Sequence, residues 1–273
     1  MRIIYREYPA SPSLQSLVEC YWHEEFVGNS NEDSPVQTCL PIGLAKIIIH
    51  ISSRPGSGIV NQEQRIFPDA YLVGISKEPV PWTMPGGSQV FGVRLKPEGL
   101  IQLYQRPMGD FVNDYVELEV FFGKQVKPVV EQIQQVGNAK ERIAIMENFL
   151  LRRLSKFQPE QNYFSEAVKR IHHSEGSISI ESLSKTLFVC ERQLQRAFKV
   201  NLGISPKAYL RVIRFKNIYK QLQGNENLNW AELAHRYAYS DQAHFIREFK
   251  TFTGATPNVV WNEIMNVSPG LYY

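Results

Sequence analysis

Cysteine is scarce in this 273-residue chain: Cys20, Cys39 and Cys190 are odd in number, far apart and outside any CxxC pair. That spacing excludes a disulfide framework and a cysteine zinc site, and fits a reducing compartment. Long apolar runs are missing as well. Ile47 to Ile49 is enclosed by Lys46 and His50, far short of the ~18 residues a membrane span needs, and Met1 to Pro9 holds no apolar stretch of signal-peptide length. The expectation is a soluble, cytoplasmic protein without membrane contact. Catalytic signatures are absent too: there is no GxGxxG after a strand, no GxxxxGK[ST], no GxSxG and no HExxH. His23 and His50 lack HxH spacing, and the adjacent His172 and His173 cannot share a metal from one helix. No enzyme, no cofactor and no metal are therefore expected.

What is present is enough to fold. Hydrophobic residues make up 43% and charged residues 21% of the chain, away from the composition of disorder, and the length suits about two domains. The net charge of +3 is unevenly divided. Residues 1–160 carry 16 Lys/Arg against 18 Asp/Glu, whereas residues 161–273 carry 14 against 9. From Arg192 to Asn225 eight basic residues occur with no acidic one. Such a stretch is either a solvated basic helix face or a surface for a phosphate-rich partner.

An internal repeat favours the second reading. At an offset of 51, Arg196-Ala197-Phe198-Lys199 and Gly203-Ile204-Ser205-Pro206 fall on Arg247-Glu248-Phe249-Lys250 and Gly254-Ala255-Thr256-Pro257. Upstream, Leu183 matches Leu233 at an offset of 50, so one turn is a residue longer. In each block apolar residues stand i, i+4 on two short helices: Leu183 and Leu187 then Leu194 and Phe198, and Leu233 and Tyr237 then Phe245 and Phe249. The first turn is Phe188-Val189-Cys190. Between Leu194 and Phe198 the second helix presents Gln195 and Arg196, which is the form of a helix-turn-helix. Leu210, Ile213, Ile218 and Leu222 predict a long connecting helix ending at Gln223-Gly224-Asn225, with Pro206 and Pro257 in first helical turns behind Ser205 and Thr256.

From about Phe164 to Trp261 these residues resemble the DNA-binding domain of AraC/XylS-type bacterial transcription regulators. The most specific piece runs from Ala238-Tyr239-Ser240-Asp241-Gln242-Ala243-His244-Phe245-Ile246-Arg247 to Glu248-Phe249-Lys250, with Gly254 to Pro257. Ala238 stands where the family usually has glycine, and Cys190 where it usually has a capping serine. A left-handed alanine there would cost ~1 to 2 kcal/mol. The resemblance implies two recognition helices, starting near Glu191 and Asp241, in successive major grooves. Arg192, Gln193, Gln195 and Arg196 would face bases in one groove, and Gln242, Ala243, Ile246 and Arg247 in the other. Lys199, Lys207, Arg211, Lys216, Lys250 and Thr251 would meet phosphates. The competing reading makes Arg196 and Arg247 structural ions paired with glutamates.

The N-terminal part reads as strand and turn. Leu40 to Ile51, Arg65 to Phe67, Ala70 to Ile75 and Val90 to Leu95 are β-prone, punctuated by Arg54-Pro55-Gly56-Ser57-Gly58 and Met84-Pro85-Gly86-Gly87. Helical periodicity follows over about 127–156: Val130, Ile133 and Val136, a break at Gly137-Asn138, then Ile143, Met146, Phe149, Leu150 and Leu154. The expected fold is α+β in two domains. Residues 1–157 form a β-barrel-like (cupin-like) domain ending in a helical pair, residues 161–265 an all-α domain of two helix-turn-helix units on a long helix, and 266–273 a tail. Leu40-Pro41-Ile42-Gly43 and Gly92-Val93-Arg94-Leu95-Lys96-Pro97-Glu98-Gly99 resemble an N-terminal domain found in one subset of these regulators, with no ligand assigned. The wider family implies a small-molecule effector, a homodimer through the helical pair, or both. Trp22, Trp82, Phe91 and Arg94 are the candidate effector-pocket residues; the alternative is ordinary core and rim. The resemblance thus implies a sequence-specific transcription regulator, an activator by the commoner family outcome, with double-stranded DNA and RNA polymerase as partners. Its alternative is an effector-independent regulator whose N-terminal domain dimerises or binds another protein.

Overall fold

The computed structural model describes residues 1–51, 54–104, 112–155, 162–224 and 228–266. The expected boundary at 157–161 and the tail beyond 266 lie outside the described residues. The first half holds strands β1 (Arg2–Tyr8), β2 (Val18–Val27), β3 (Gln37–Cys39), β4 (Ala45–His50), β5 (Ser57–Val60), β6 (Glu63–Ile66), β7 (Ala70–Val73), β8 (Val80–Thr83), β9 (Gln89–Leu95) and β10 (Tyr115–Glu117). They pair into a six-stranded antiparallel sheet, β1-β2-β9-β4-β7-β10, and a four-stranded one, β3-β8-β5-β6. The barrel-like domain is thus two sheets rather than one closed cylinder.

Register decides what each sheet face carries. Trp22 lies opposite Gly92 and Gly92 opposite Ile48, while His23 lies opposite Phe91 and Phe91 opposite Ile49. Residues on one rung share a face, and faces alternate along a strand. Trp22, Glu24, Lys46, Ile48, His50 and Arg94 therefore share one face. Tyr21, Ile47, Phe91 and Val93 share the other, where they join the core under the helices. Gly92 is required by the first face: a Cβ there would run into the Trp22 indole.

Helices α1 (Pro97–Tyr104), α2 (Leu118–Phe122), α3 (Lys127–Gln135) and α4 (Ala139–Leu154) complete this half. The expected helical pair is α3 and α4. Val129, Ile133, Met146, Phe149 and Leu150 pack on the Phe91 face of the sheet. Asn138 caps α4 by accepting from the Glu141 N–H at 3.0 Å. Buried Arg142 donates to the Ile133 and Val136 carbonyls, satisfying the free C-terminal acceptors of α3.

The second half is helical: α5 (Tyr163–His173), α6 (Ile180–Thr186), α7 (Glu191–Leu202), α8 (Pro206–Gly224), α9 (Trp230–Arg236), α10 (Gln242–Thr253) and α11 (Pro257–Asn266). One core gathers α5, α6 and α7 around Tyr209, Leu210 and Ile213 of α8. The other gathers α9, α10 and α11 around Val212, Phe215, Ile218 and Leu222. His172 is half-buried against α8 and hydrogen-bonds the Tyr209 hydroxyl at 2.7 Å.

The two halves also touch. The stretch Leu40 to Ile51, expected as one strand, is interrupted: Pro41 has no N–H to give a ladder, and Gly43 adopts φ +72°. The resulting loop lies on α8. Leu40 is buried in the second helix-turn-helix core, and Ile75 joins the first. A Cβ on Gly43 would lie 2.8 Å from Ile213 Cδ1. Lys216 of α8 pairs with Glu19 at 3.0 Å. Both sterics and φ at Gly43 thus demand glycine. Gly43→Val is expected to lower the urea midpoint of the full chain, corresponding to a loss of unfolding free energy on the order of 1 to 3 kcal/mol, with Gly43→Ala milder. Unchanged midpoints in both would refute the packing of this loop on α8.

Candidate nucleic-acid interface and effector cavity

The repeat seen in the sequence is a repeat in space. Helices α6 and α9 start at Ile180 and Trp230, an offset of 50, and α7 and α10 at Glu191 and Gln242, an offset of 51. The turns share their geometry as well: Phe188 and Ala238, at the 50-residue offset, have φ +54° and +55°. The extra residue of the second turn therefore falls after its left-handed position. Ala238 is left-handed, as the usual glycine implied, and Phe188 is the less expected case. It is 96% exposed, so no burial offsets its backbone strain.

The recognition helices are capped differently. Asp241 Oδ1 accepts from the His244 N–H at 2.7 Å, and that hydrogen bond is the main cause of its carboxyl titrating below the usual range. In α7 the Cys190 N–H donates to Gln193 Oε1 at 2.9 Å. Gln193, expected to face a base, is instead half of a capping box. Arg192, Gln195, Arg196, Gln242, Ala243 and Arg247 are exposed, and Ile246 is half-buried against the second core. Neither Arg196 nor Arg247 has an ion pair among the described residues, which goes against the reading of both as structural ions.

Of the expected phosphate contacts, Lys207, Lys250 and Thr251 are exposed. Three others have partners within the protein. Arg211 pairs with buried Glu248 at 2.6 Å, and Glu248 also accepts from the Tyr239 hydroxyl at 2.8 Å, tying α8 to α10. Lys216 is held by Glu19, whose carboxyl burial would raise but the Lys216 ammonium pulls below its usual value. Lys199 remains exposed and donates to the Gly203 carbonyl at 3.0 Å. The partners of Arg211 and Lys216 come from α10 and β2, which no local pattern reveals.

Between the two sheets lies a cavity of about 80 Å³. Trp22, Trp82 and Arg94, three of the four expected pocket residues, line it. Phe91 does not: its odd register position turns it to the opposite face, where it stacks on Tyr21 at 6.2 Å between ring centroids. Sequence reading also missed Glu24, Lys46, His50 and Tyr71, which share the cavity face. Arg94 donates to Glu7 and to the Tyr5 hydroxyl. Burial pushes the Glu24 carboxyl up to about 7 and the His50 imidazole down to about 4. Among the described residues no cluster of three His, Cys, Asp or Glu could hold a metal, and no helix is long and apolar enough to cross a membrane.

Comparison with known proteins places both halves. Residues 6–117 match a domain of unknown function, DUF6597, and residues 183–262 match a helix-turn-helix domain. The Msm operon regulatory protein of Streptococcus mutans is 27% identical over 140 residues, covering 50% of each chain. The arabinose operon regulatory protein of Escherichia coli is 28% identical over 139 residues, 48% of this chain and 47% of that one. The C-terminal domain belongs to the AraC/XylS family. The chain spans about half the length of the relatives it matches. In fold, ToxT from Vibrio cholerae aligns with a TM-score of 0.50 at 10% identity, over 96% of this chain and 97% of that one. The likeness thus extends to a β-rich domain placed before the AraC/XylS domain.

The left-handed turns of the AraC/XylS domain give one expected outcome. Phe188→Gly and Ala238→Gly should each stabilise the chain by about 1 kcal/mol in urea unfolding; no gain at either position would contradict the turn geometry. Glu24 gives another. Its folded pKa lies above the unfolded value of 4.5, so its burial is without cost below about pH 4.5 and destabilises increasingly as the pH rises to about 7. Glu24→Gln lacks that ionisation. The variant should gain on the wild type by up to about 3 kcal/mol between pH 4 and pH 8, and a pH-independent difference would refute the shift.

Proposed function

We propose that the chain is a sequence-specific DNA-binding transcription regulator that reads a bipartite site with α7 and α10 in two adjacent major grooves. The observation that carries this reading is the pair of equivalent helices whose Arg and Gln side chains stand exposed, the arginines without ion-pair partners among the described residues, each helix fixed by a capped N-terminus. Arginine donates two parallel bonds to guanine O6 and N7, glutamine pairs with adenine N6 and N7, and Ala243 or Ile246 touches a thymine methyl. Lys207, Lys250 and Thr251 meet phosphates. The operon-regulating names of the relatives support the same function. Acting in the cytoplasm, the protein activates transcription with RNA polymerase and pairs protomers through α3 and α4. An effector in the N-terminal cavity shifts the balance between two arrangements of the domains by its differential affinity for them.

Selection of bound duplexes from a random DNA library tests this. Two short preferred blocks about one helical turn apart are expected, and salt-sensitive binding with no preferred sequence would overturn the bipartite reading. Arg247→Ala should cost ~1 to 3 kcal/mol and relax one block. Lys207→Ala should weaken all sequences alike and flatten the salt slope by about 1, while Lys216→Ala leaves the slope unchanged because Glu19 already holds its ammonium.

A further inference from the structure

The N-terminal cavity carries more polar chemistry than a packing defect would. Its walls are aromatic, with Trp22 and Tyr71 on the large sheet and Trp82 on the small one. Into this apolar space the register brings Glu24, 3% exposed, on the rung of His50, 1% exposed. Among the described residues, neither nitrogen of the His50 ring, nor Nε1 of Trp22, has a hydrogen-bond partner. Glu24 has no hydrogen bond or ion pair with any described residue. Lys46 is buried too, and among the described residues its ammonium hydrogen-bonds Cys39 Sγ alone, at 3.0 Å. Each such group left unmatched costs about 1 to 3 kcal/mol, so together they call for an occupant.

The charges restrict that occupant. Arg94 is balanced by Glu7, and Lys46 and Glu24 oppose each other beyond ion-pair distance, the field of Lys46 acting on Glu24. His50 is neutral. With Glu24 ionised, above about pH 7, the set is balanced, and a ligand with a net charge would unbalance a largely apolar site. A neutral ligand is needed that offers a donor to Glu24 and an acceptor to Lys46 at once. The space is about 80 Å³, roughly half of the ~150 Å³ of a cavity that takes benzene, so a single ring fills it and is only partly enclosed, its outer edge standing in the open mouth. A flat ring suits the aromatic walls.

We propose, on the effector reading given above, that the cavity binds a small uncharged planar heterocycle with an amide edge, as in a pyridone, a cyclic ureide or a pyrimidine base. Its N–H donates to Glu24 and its carbonyl accepts from Lys46. His50, in either tautomer, serves a further group on the ring. Cys39 ends β3 and directly precedes Leu40, so a ligand that takes over the Lys46 ammonium acts on the strand leading into the loop seated on α8.

The test is calorimetric titration and thermal melting of the full chain with α-pyridone and with its N-methyl and C-methyl derivatives, which are equal in size and differ in the N–H. Binding of the parent and the C-methyl compound is expected, with the N-methyl isomer weaker by ~10-fold or more. Lys46→Met should weaken the parent by a similar factor; should that variant not fold, the isomer pair on the wild type decides alone. Equal binding of the two isomers would overturn the pairing with Glu24. Binding of benzoate but not of pyridone or uracil would overturn the ligand class and leave the effector reading standing. If none of these compounds binds or raises the melting temperature, both fall.

Discussion

Helix α8 gives Tyr209, Leu210 and Ile213 to one helix-turn-helix core and Val212, Phe215, Ile218 and Leu222 to the other. Neither core closes without it. Because its two apolar stripes lie on one rigid cylinder, the rotation between them fixes how α7 and α10 are aimed relative to each other. The Arg211–Glu248–Tyr239 network adds a polar tie between α8 and α10, and the Arg214 guanidinium lies over the Tyr239 ring at 4.9 Å. A basic run that looks from its composition like a surface for phosphate is thus partly the internal scaffold of the domain.

The N-terminal domain uses the same helix. Its Leu40–Gly43 loop meets both cores, with Leu40 against the second and Gly43 beside Tyr209 and Ile213 of the first. Glu19 at the start of β2 holds Lys216. The loop also follows β3, whose Cys39 receives the cavity-lining Lys46. Cavity and connecting helix are therefore joined through a few consecutive residues, with packing rather than a flexible linker between them.

Legibility in the sequence followed the range of the interactions. The helix-turn-helix units were readable because caps, i, i+4 stripes and turn residues are local, and because the repeat states them twice. Strand-rich content was readable from β-prone runs, but not register, and register placed Phe91 on the helix side while bringing Glu24, Lys46 and His50 onto the cavity face. Charge showed where basic residues are, not which are engaged: the partners of Arg211 and Lys216 are 37 and 197 residues away. The capping role of Gln193 was missed for a subtler reason. With cysteine at the N-cap, the carboxamide three residues on folds back to the Cys190 N–H, whereas the second unit has Asp241 to do the capping.

The 19-residue length of α8 has a consequence for the DNA such a domain can follow. An unbroken helix of that length spans about 28 Å and resists twisting. One additional base pair between the two halves of a site would rotate the second half by roughly 35° about the duplex axis. Neither α8 nor the loop wedged against its middle can turn to compensate. On the proposed bipartite reading, the spacer length between half-sites therefore becomes as strict a requirement as the bases within them, and the burden of any mismatch in phase passes to the bending and twisting of the DNA itself.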